Sequence, residues 1–269
     1  PRNTAPALMQ ANIFLSKINP EGHLLVVPAD HFIAKENIFA KQLTAASEYA
    51  KNRCVITAGI KPSEPHSGYG YIQFSEKKSS SKNNLNFYPI VQFKEKPDNA
   101  TAVKYLKKGN YYWNSGMFVY KLAFFKEFLK IYAPYYHNQY EKLEKAAGNA
   151  KLFAKTYKSI TPESIDYVLM EKLKEAVMFK AAFAWNDVGS WSSVYEMNEK
   201  NRQKNVCRGR TLAIDTRNSL IFSNSDKPMA VIGLDKIAVI NTENGILIAP
   251  LSQLQQVKQV IAMLKKEKS

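Results

Sequence analysis

A chain of 269 residues with 45% hydrophobic side chains can bury a sizeable core, in one large domain or in one large and one small. No run of about 18 uncharged apolar residues occurs and no charged-then-apolar leader opens the chain, which excludes a spanning helix and makes the cytoplasm the expected compartment. The net charge of +15, from 38 Lys and Arg against 23 Asp and Glu, is scattered rather than gathered on one segment among aromatics, so neither nucleic acid nor a membrane is the expected partner.

In chain order, residues 24–27 and 54–60 are short apolar runs that predict buried strands. Between them Ile38, Phe39, Leu43, Ala46 and Tyr49 recur at helical spacing. Strand, helix, strand predicts an α/β sheet with a right-handed crossover, in which ligands sit beyond the carboxyl ends of strands, where Asp30 falls. Residues 61–86 carry prolines, glycines and a polar tip and predict a loop, followed by a strand at 87–93 and a helix at 99–108 stopped by Gly109. A strand at 117–120, a helix at 122–131 and a helical hairpin at 135–157 come next. Thr161-Pro162-Glu163 reads as a helix start opening residues 164–174, and 177–183 reads as a strand. After Lys204 the texture changes to short strands at intervals of about 8 to 10 residues, which fits a meander or the coils of a β-helix. Leu251, Leu254, Val257, Ile261 and Leu264 mark the packed face of a closing helix.

Several segments could carry chemistry. Asp30 stands in a Pro-Ala-Asp-His turn after a strand, and Asp187 stands between Trp185 and Gly189 before a helix opened by Ser190. Two such carboxylates could hold a Mg²⁺ that bridges phosphate oxygens; Asp187 could equally cap a helix. Glu95 and Lys96 precede Pro97, which favours extended backbone and points the two side chains to opposite sides: a carboxylate suits sugar hydroxyls and an ammonium suits a phosphate, but an exposed Glu-Lys pair is more often mere surface. Gly70, beside Tyr71, lets backbone approach a ligand closely, though hairpin turns use the same residues, and Asn114 with Ser115, in a turn before the strand at Met117, offers an amide for a sugar hydroxyl or equally for holding its own loop. Cys54 and Cys207 stand apart from each other and from the four histidines, so no CxxC pair or zinc set can be written. No GxGxxG, P-loop or hydrolytic triad is present.

Taken in order, Arg2-Asn3-Thr4-Ala5-Pro6, Pro28-Ala29-Asp30-His31, Gly68-Tyr69-Gly70-Tyr71-Ile72, Glu95-Lys96-Pro97, Trp113-Asn114-Ser115-Gly116-Met117-Phe118, Ser164-Ile165-Asp166-Tyr167 with Met170-Glu171-Lys172, and Asp187-Val188-Gly189-Ser190-Trp191 resemble the bacterial mannose-1-phosphate guanylyltransferases over nearly the whole chain. The resemblance implies a Rossmann-like nucleotidyltransferase domain at 1–204, then a small left-handed β-helix with a closing helix at 205–269. It implies that mannose 1-phosphate attacks the α-phosphorus of GTP, giving GDP-mannose and pyrophosphate with Mg²⁺. By the same likeness Asp30 and Asp187 hold the metal, and Arg2, Asn3 and Thr4 lie near the guanine. Gly70, Tyr71, Glu95, Asn114, Ser115 and Asp166 line the mannose, with Lys96 on its phosphate. The family's glycine-rich phosphate-binding segment and first strand are not found and are expected upstream of Pro1, so residues 1–269 alone are expected to turn over little or nothing. The cupin-like isomerase domain of many relatives is not found either, and isomerase activity is not expected. A homo-oligomer, taken as a dimer, is expected from exposed strand edges. The rival readings are a nucleotidyltransferase using dTTP and glucose 1-phosphate, and a non-catalytic nucleotide-sugar binding protein.

Overall fold

The computed structural model describes residues 2–77 and 79–267, those at 258 and 265–267 by their backbone alone. The elements run α1 Thr4–Ile18, β1 His23–Val26, β2 Phe32–Ala34, α2 Glu36–Tyr49, β3 Val55–Ile60, β4 Tyr71–Phe74, β5 Ser80–Lys82, β6 Leu85–Lys94, α3 Asn99–Lys108, β7 Tyr111–Lys121, α4 Leu122–Tyr132, α5 Pro134–Ala146, α6 Ala150–Ser159 and a π-helical turn Asp166–Met170. They continue with β8 Ala176–Lys180, β9 Ala184–Asn186, α7 Trp191–Met197, β10 Val206–Arg208, β11 Thr211–Ile214, β12 Leu220–Ser223, β13 Met229–Ile232, β14 Ile237–Thr242, β15 Gly245–Pro250, a 3₁₀ turn Leu251–Gln256 and α8 Val257–Glu267. Two compact units result: one holds the residues up to Ala29 and Ile33–Trp185, the other holds Asp30–Phe32 and the residues from Asn186 on. No described helix is long and apolar enough to cross a membrane.

The first unit is built on a mixed seven-stranded sheet in the order β1-β7-β3-β8-β6-β4, with β5 on β6 and a further pairing of β4 with the start of β7. Successive residues of a strand point to opposite faces, and the apolar ones sort accordingly. Val55, Phe118, Tyr120, Ala176 and Met178 join the core beneath α1, α4 and α5, whereas Ile56, Ala58, Met117, Val119 and Phe179 join the core against α2. Helices therefore cover both faces. Gly109 ends α3 as expected, with φ 73°, and at the other end Asp98 accepts from Thr101 N at 2.7 Å.

Five expectations are corrected by long-range packing. Residues 61–86 are not all loop, because β4 pairs with β6 and β7 and β5 pairs with β6. The strand at 24–27 is an edge strand paired only with β7, with Leu25 42% exposed, so it is not buried. Residues 164–174 form no α-helix; only the π-helical turn forms, because Ile165, Val168, Leu169, Met170 and Leu173 all turn into the core within nine residues. Asn114-Ser115-Gly116 is no turn but part of the eleven-residue β7, at a bulge where the register jumps from Thr57–Phe118 to Gly59–Asn114. In the closing segment Leu254 is buried in the 3₁₀ turn, whereas Ile261 and Leu264 of α8 are exposed.

In the second unit β10, β12 and β14 pair in parallel, and β11 pairs in parallel with β13. Leu220 lies against Ala238 and Thr211 against Met229, one coil being 18 residues, so the coil of a β-helix is realised and the meander is not. Val206, Leu220, Ala238 and Ile240 fill its interior with Leu254. β15 closes the stack by running antiparallel to β14.

Candidate functional site

The loop between β3 and β4 ends at Gly70, whose carbonyl accepts the backbone N–H of Asn114 at 2.8 Å. A Cβ there would lie 3.2 Å from Asn114 Cβ and would collide with Glu95 Oε2, so this glycine is required by close approach rather than by its backbone angles. Three chain segments meet around it. Glu95, 9% exposed just beyond the end of β6, has Oε1 3.0 Å from the Lys96 ammonium. Lys96 is not extended before proline as expected: it stands in the left-handed region at φ 43°, which folds its side chain back to the Glu95 carboxylate. A charge-assisted bond to a nearly buried acid thus outweighs a backbone cost of about 1–3 kcal/mol. That bond raises the Lys96 ammonium above its usual range, with the charges of Glu95, Tyr167 and Asp166 adding to it and burial opposing.

Asn114, 8% exposed, comes from the bulge. Its Oδ1 accepts from the Thr57 hydroxyl at 3.1 Å and from Gly116 N at 3.2 Å, so its Nδ2 is left to donate to Asp166 Oδ1 at 3.0 Å. Asp166 opens the π-helical turn. Burial and then the Glu95 charge push its carboxyl up to about 6, against the pull of its own backbone N–H, Asn114 and Lys96. Two carboxylates, an amide and an ammonium therefore face one small region, a set that offers acceptors to hydroxyl groups and one cation to a phosphate.

The remaining sequence candidates of this unit have other duties. Tyr71 is wholly buried with its hydroxyl accepting from His66 N at 3.0 Å, and Ser115 is 1% exposed with Oγ accepting from Met117 N at 3.3 Å. Both side chains lie in the interior beside the Gly70–Asn114 contact. Asn3, at φ 66°, caps α1 through Thr4 N at 2.8 Å, while the Thr4 hydroxyl accepts from Ile165 N at 2.8 Å and Ala5 N donates to the Glu163 carbonyl. The start of α1 thus ties down the segment that delivers Asp166. Arg2 is half-buried just before it.

Asp30 and Asp187 belong to the second unit. Asp30 is exposed and Asp187 half-buried. Both bear on His31: burial lowers its proton affinity, and the charges of Asp30 and Asp187 raise it in part. Two carboxylates 157 residues apart in number therefore share one neighbourhood. Asp187 is not the helix cap, because Ser190 Oγ accepts from Ser193 N at 3.1 Å to start α7; Asp187 Oδ1 accepts from Gly189 N at 3.1 Å instead. Val188 between them stands at φ 50°, a costly angle for a β-branched residue that holds this turn in shape. Two hard oxygen donors suit Mg²⁺, which keeps several waters, and among the described residues no group of three or more His, Cys, Asp or Glu gathers as a softer metal would require.

Two residues of the first cluster were not singled out for a role from the sequence, Thr57 and Glu171. Thr57 is the polar member of an otherwise apolar buried strand, a pattern that signals a partner inside. Glu171 carries no such local sign; only its bond to Glu95 N at 3.0 Å reveals it.

The nucleotidyl transferase family matches residues 1–204, and the mannose-phosphate isomerase/GMP-like β-helix domain matches residues 209–264. Among curated relatives, mannose-1-phosphate guanylyltransferase 2 of Escherichia coli is 35% identical over 98% of this chain and 56% of its own length. An alginate biosynthesis protein of Pseudomonas syringae is 36% identical over 99% of this chain and 55% of its own. The chain thus spans little more than half of the curated relatives it matches. A crystal structure titled mannose-1-phosphate geranyltransferase, from Thermus thermophilus, superposes with a TM-score of 0.81 at 28% identity, covering 98% of this chain and 76% of that one. A cluster that fits hydroxyls and a phosphate, a β-helix behind it in sequence and a match over residues 1–204 lead to one assignment: the chain belongs to the nucleotidyl transferase family.

Proposed function

We propose that this protein transfers a guanylyl group from GTP to mannose 1-phosphate, forming GDP-mannose and pyrophosphate. The reading is carried by the Glu95–Asn114–Asp166 cluster around Gly70, with Lys96 beside it. In this reading Glu95 and Asp166 accept hydrogen bonds from mannose hydroxyls, Asn114 fixes a third, and the Lys96 ammonium neutralises the sugar phosphate and aims its oxygen at the α-phosphorus. A phosphate oxygen of the sugar forms the new bond to the α-phosphorus as the bond to the bridging oxygen of pyrophosphate breaks. Asp30 and Asp187 would hold Mg²⁺, which when bound neutralises charge on the phosphate oxygens. Arg2, Asn3 and Thr4 are assigned to the guanine end. A cytoplasmic location and a homodimer belong to the same proposal. Support for the dimer is the exposed row of Leu212, Ile214 and Ile232 on the paired strands β11 and β13, and sedimentation at several concentrations tests it.

Calorimetric titration with mannose 1-phosphate and with GDP-mannose in Mg²⁺, beside a product assay with GTP, tests the reading. Wild-type chain should bind both ligands, Glu95→Ala and Asn114→Ala should lose the sugar, and Asp30→Asn and Asp187→Asn should lose the Mg²⁺ dependence. Equal or better binding of glucose 1-phosphate and dTDP-glucose would assign the rival specificity. Ligand binding indifferent to all four substitutions would remove the site.

A further inference from the structure

We infer that Glu171 is the positioning residue that couples the two carboxylate-bearing segments of the sugar site, an inference that rests on the function proposed above. Glu95 lies just beyond the end of β6, whose last paired residue is Lys94 opposite Tyr71, so its backbone N–H has no partner in the sheet. That N–H donates instead to Glu171 Oε1 at 3.0 Å. At its other end Glu171 donates its own backbone N–H to the Asp166 carbonyl at 3.0 Å, closing the π-helical turn. One residue therefore clasps the Glu95 backbone with its side chain and the Asp166 backbone with its main chain. Lys94, 3.8 Å from the same carboxylate oxygen, keeps the charge of Glu171 balanced.

The arrangement has a physical purpose. Burial and then the charge of Glu95 raise the cost of ionising Asp166, so nothing in the interaction of the two acids holds them side by side. Lys96, at φ 43°, adds local strain to the same loop. Like charges on two neighbouring segments repel, and Glu171 ties the backbone of both. It is half-buried, and its role in this reading is to set the spacing of the two acids.

The test uses Glu171→Ala and Glu171→Gln. Glutamine retains an acceptor oxygen for the Glu95 N–H, so it should rescue, whereas alanine removes the tie. Glu171→Ala should weaken mannose 1-phosphate binding about tenfold and speed hydrogen exchange at the Glu95 amide about tenfold, while Glu171→Gln stays within about threefold of wild type in both. Glucose 1-phosphate, if it binds, should be penalised less by the alanine variant, since the spacing is matched to the preferred sugar. The inference is overturned if the alanine variant binds like wild type with a protected Glu95 amide, or if glutamine is as damaging as alanine. Failure of wild type to bind any sugar phosphate would sink the proposed function alone; the exchange rates of the two variants would then still decide whether Glu171 holds the Glu95 loop.

Discussion

Asp166→Asn should make the protein more stable at neutral pH while removing its affinity for sugar phosphate. The carboxyl of Asp166 is pushed from the ordinary 3.8 up to about 6 by burial and by the charge of Glu95, so the folded chain binds this proton more tightly than the unfolded chain does. Stability therefore falls as pH rises through the interval from about 4 to about 6, and the whole penalty is present above it. A rise of that size corresponds to about 3 kcal/mol at most; because Asp166 is half-buried and water screens it, a penalty of about 1–2 kcal/mol is expected. Asparagine keeps an oxygen to accept the Asn114 Nδ2 hydrogen bond and carries no charge, so it removes the penalty without opening a gap. Melting curves from pH 4 to pH 8 should show the variant about 3–6 °C above wild type at pH 7.5, with the gap closing toward pH 4. A variant no more stable than wild type at pH 7.5, or a gap that stays constant from pH 4 to pH 8, would refute the account of this carboxyl.

Three further outcomes follow from the same geometry. Gly70→Ala places a methyl group against Glu95 Oε2 and Asn114 Cβ, and should cost about 1–3 kcal/mol in urea unfolding together with the loss of mannose 1-phosphate binding. Thr57→Val leaves the Asn114 amide oxygen with Gly116 N alone, and should destabilise by about 1–2 kcal/mol and weaken sugar phosphate binding several-fold, both read by urea titration and calorimetry. Ile221→Ala empties a fully buried position between Val231 and Val239 in the β-helix coil, and should lower the unfolding free energy of that domain by about 2–4 kcal/mol while the Glu95–Asn114–Asp166 cluster keeps its ligand affinity.

What sequence alone determined about this protein was local. The continuous apolar runs at 54–60 and 117–120 marked buried strands, and Gly109 marked the end of α3, because such runs and caps depend on neighbours a few residues away. The change to short strands after Lys204 marked the β-helix, though only the parallel, 18-residue register distinguished coils from a meander. Of the candidate site, Asp30, Gly70, Glu95, Lys96, Asn114, Asp166 and Asp187 were named through the family resemblance of the segments that carry them, since residue types and spacing by themselves fit structural duties as well. Tertiary structure decided the rest. The folding back of Lys96 onto Glu95, the bulge that aims Asn114 and the π-helical turn that replaces an expected α-helix each depend on a group far along the chain, and backbone preference yields wherever a buried charge or a core side chain can gain more by bending it. Glu171 was invisible for the same reason: its partner, the Glu95 N–H, is 76 residues away and lacks a ladder partner only because β6 ends where it does.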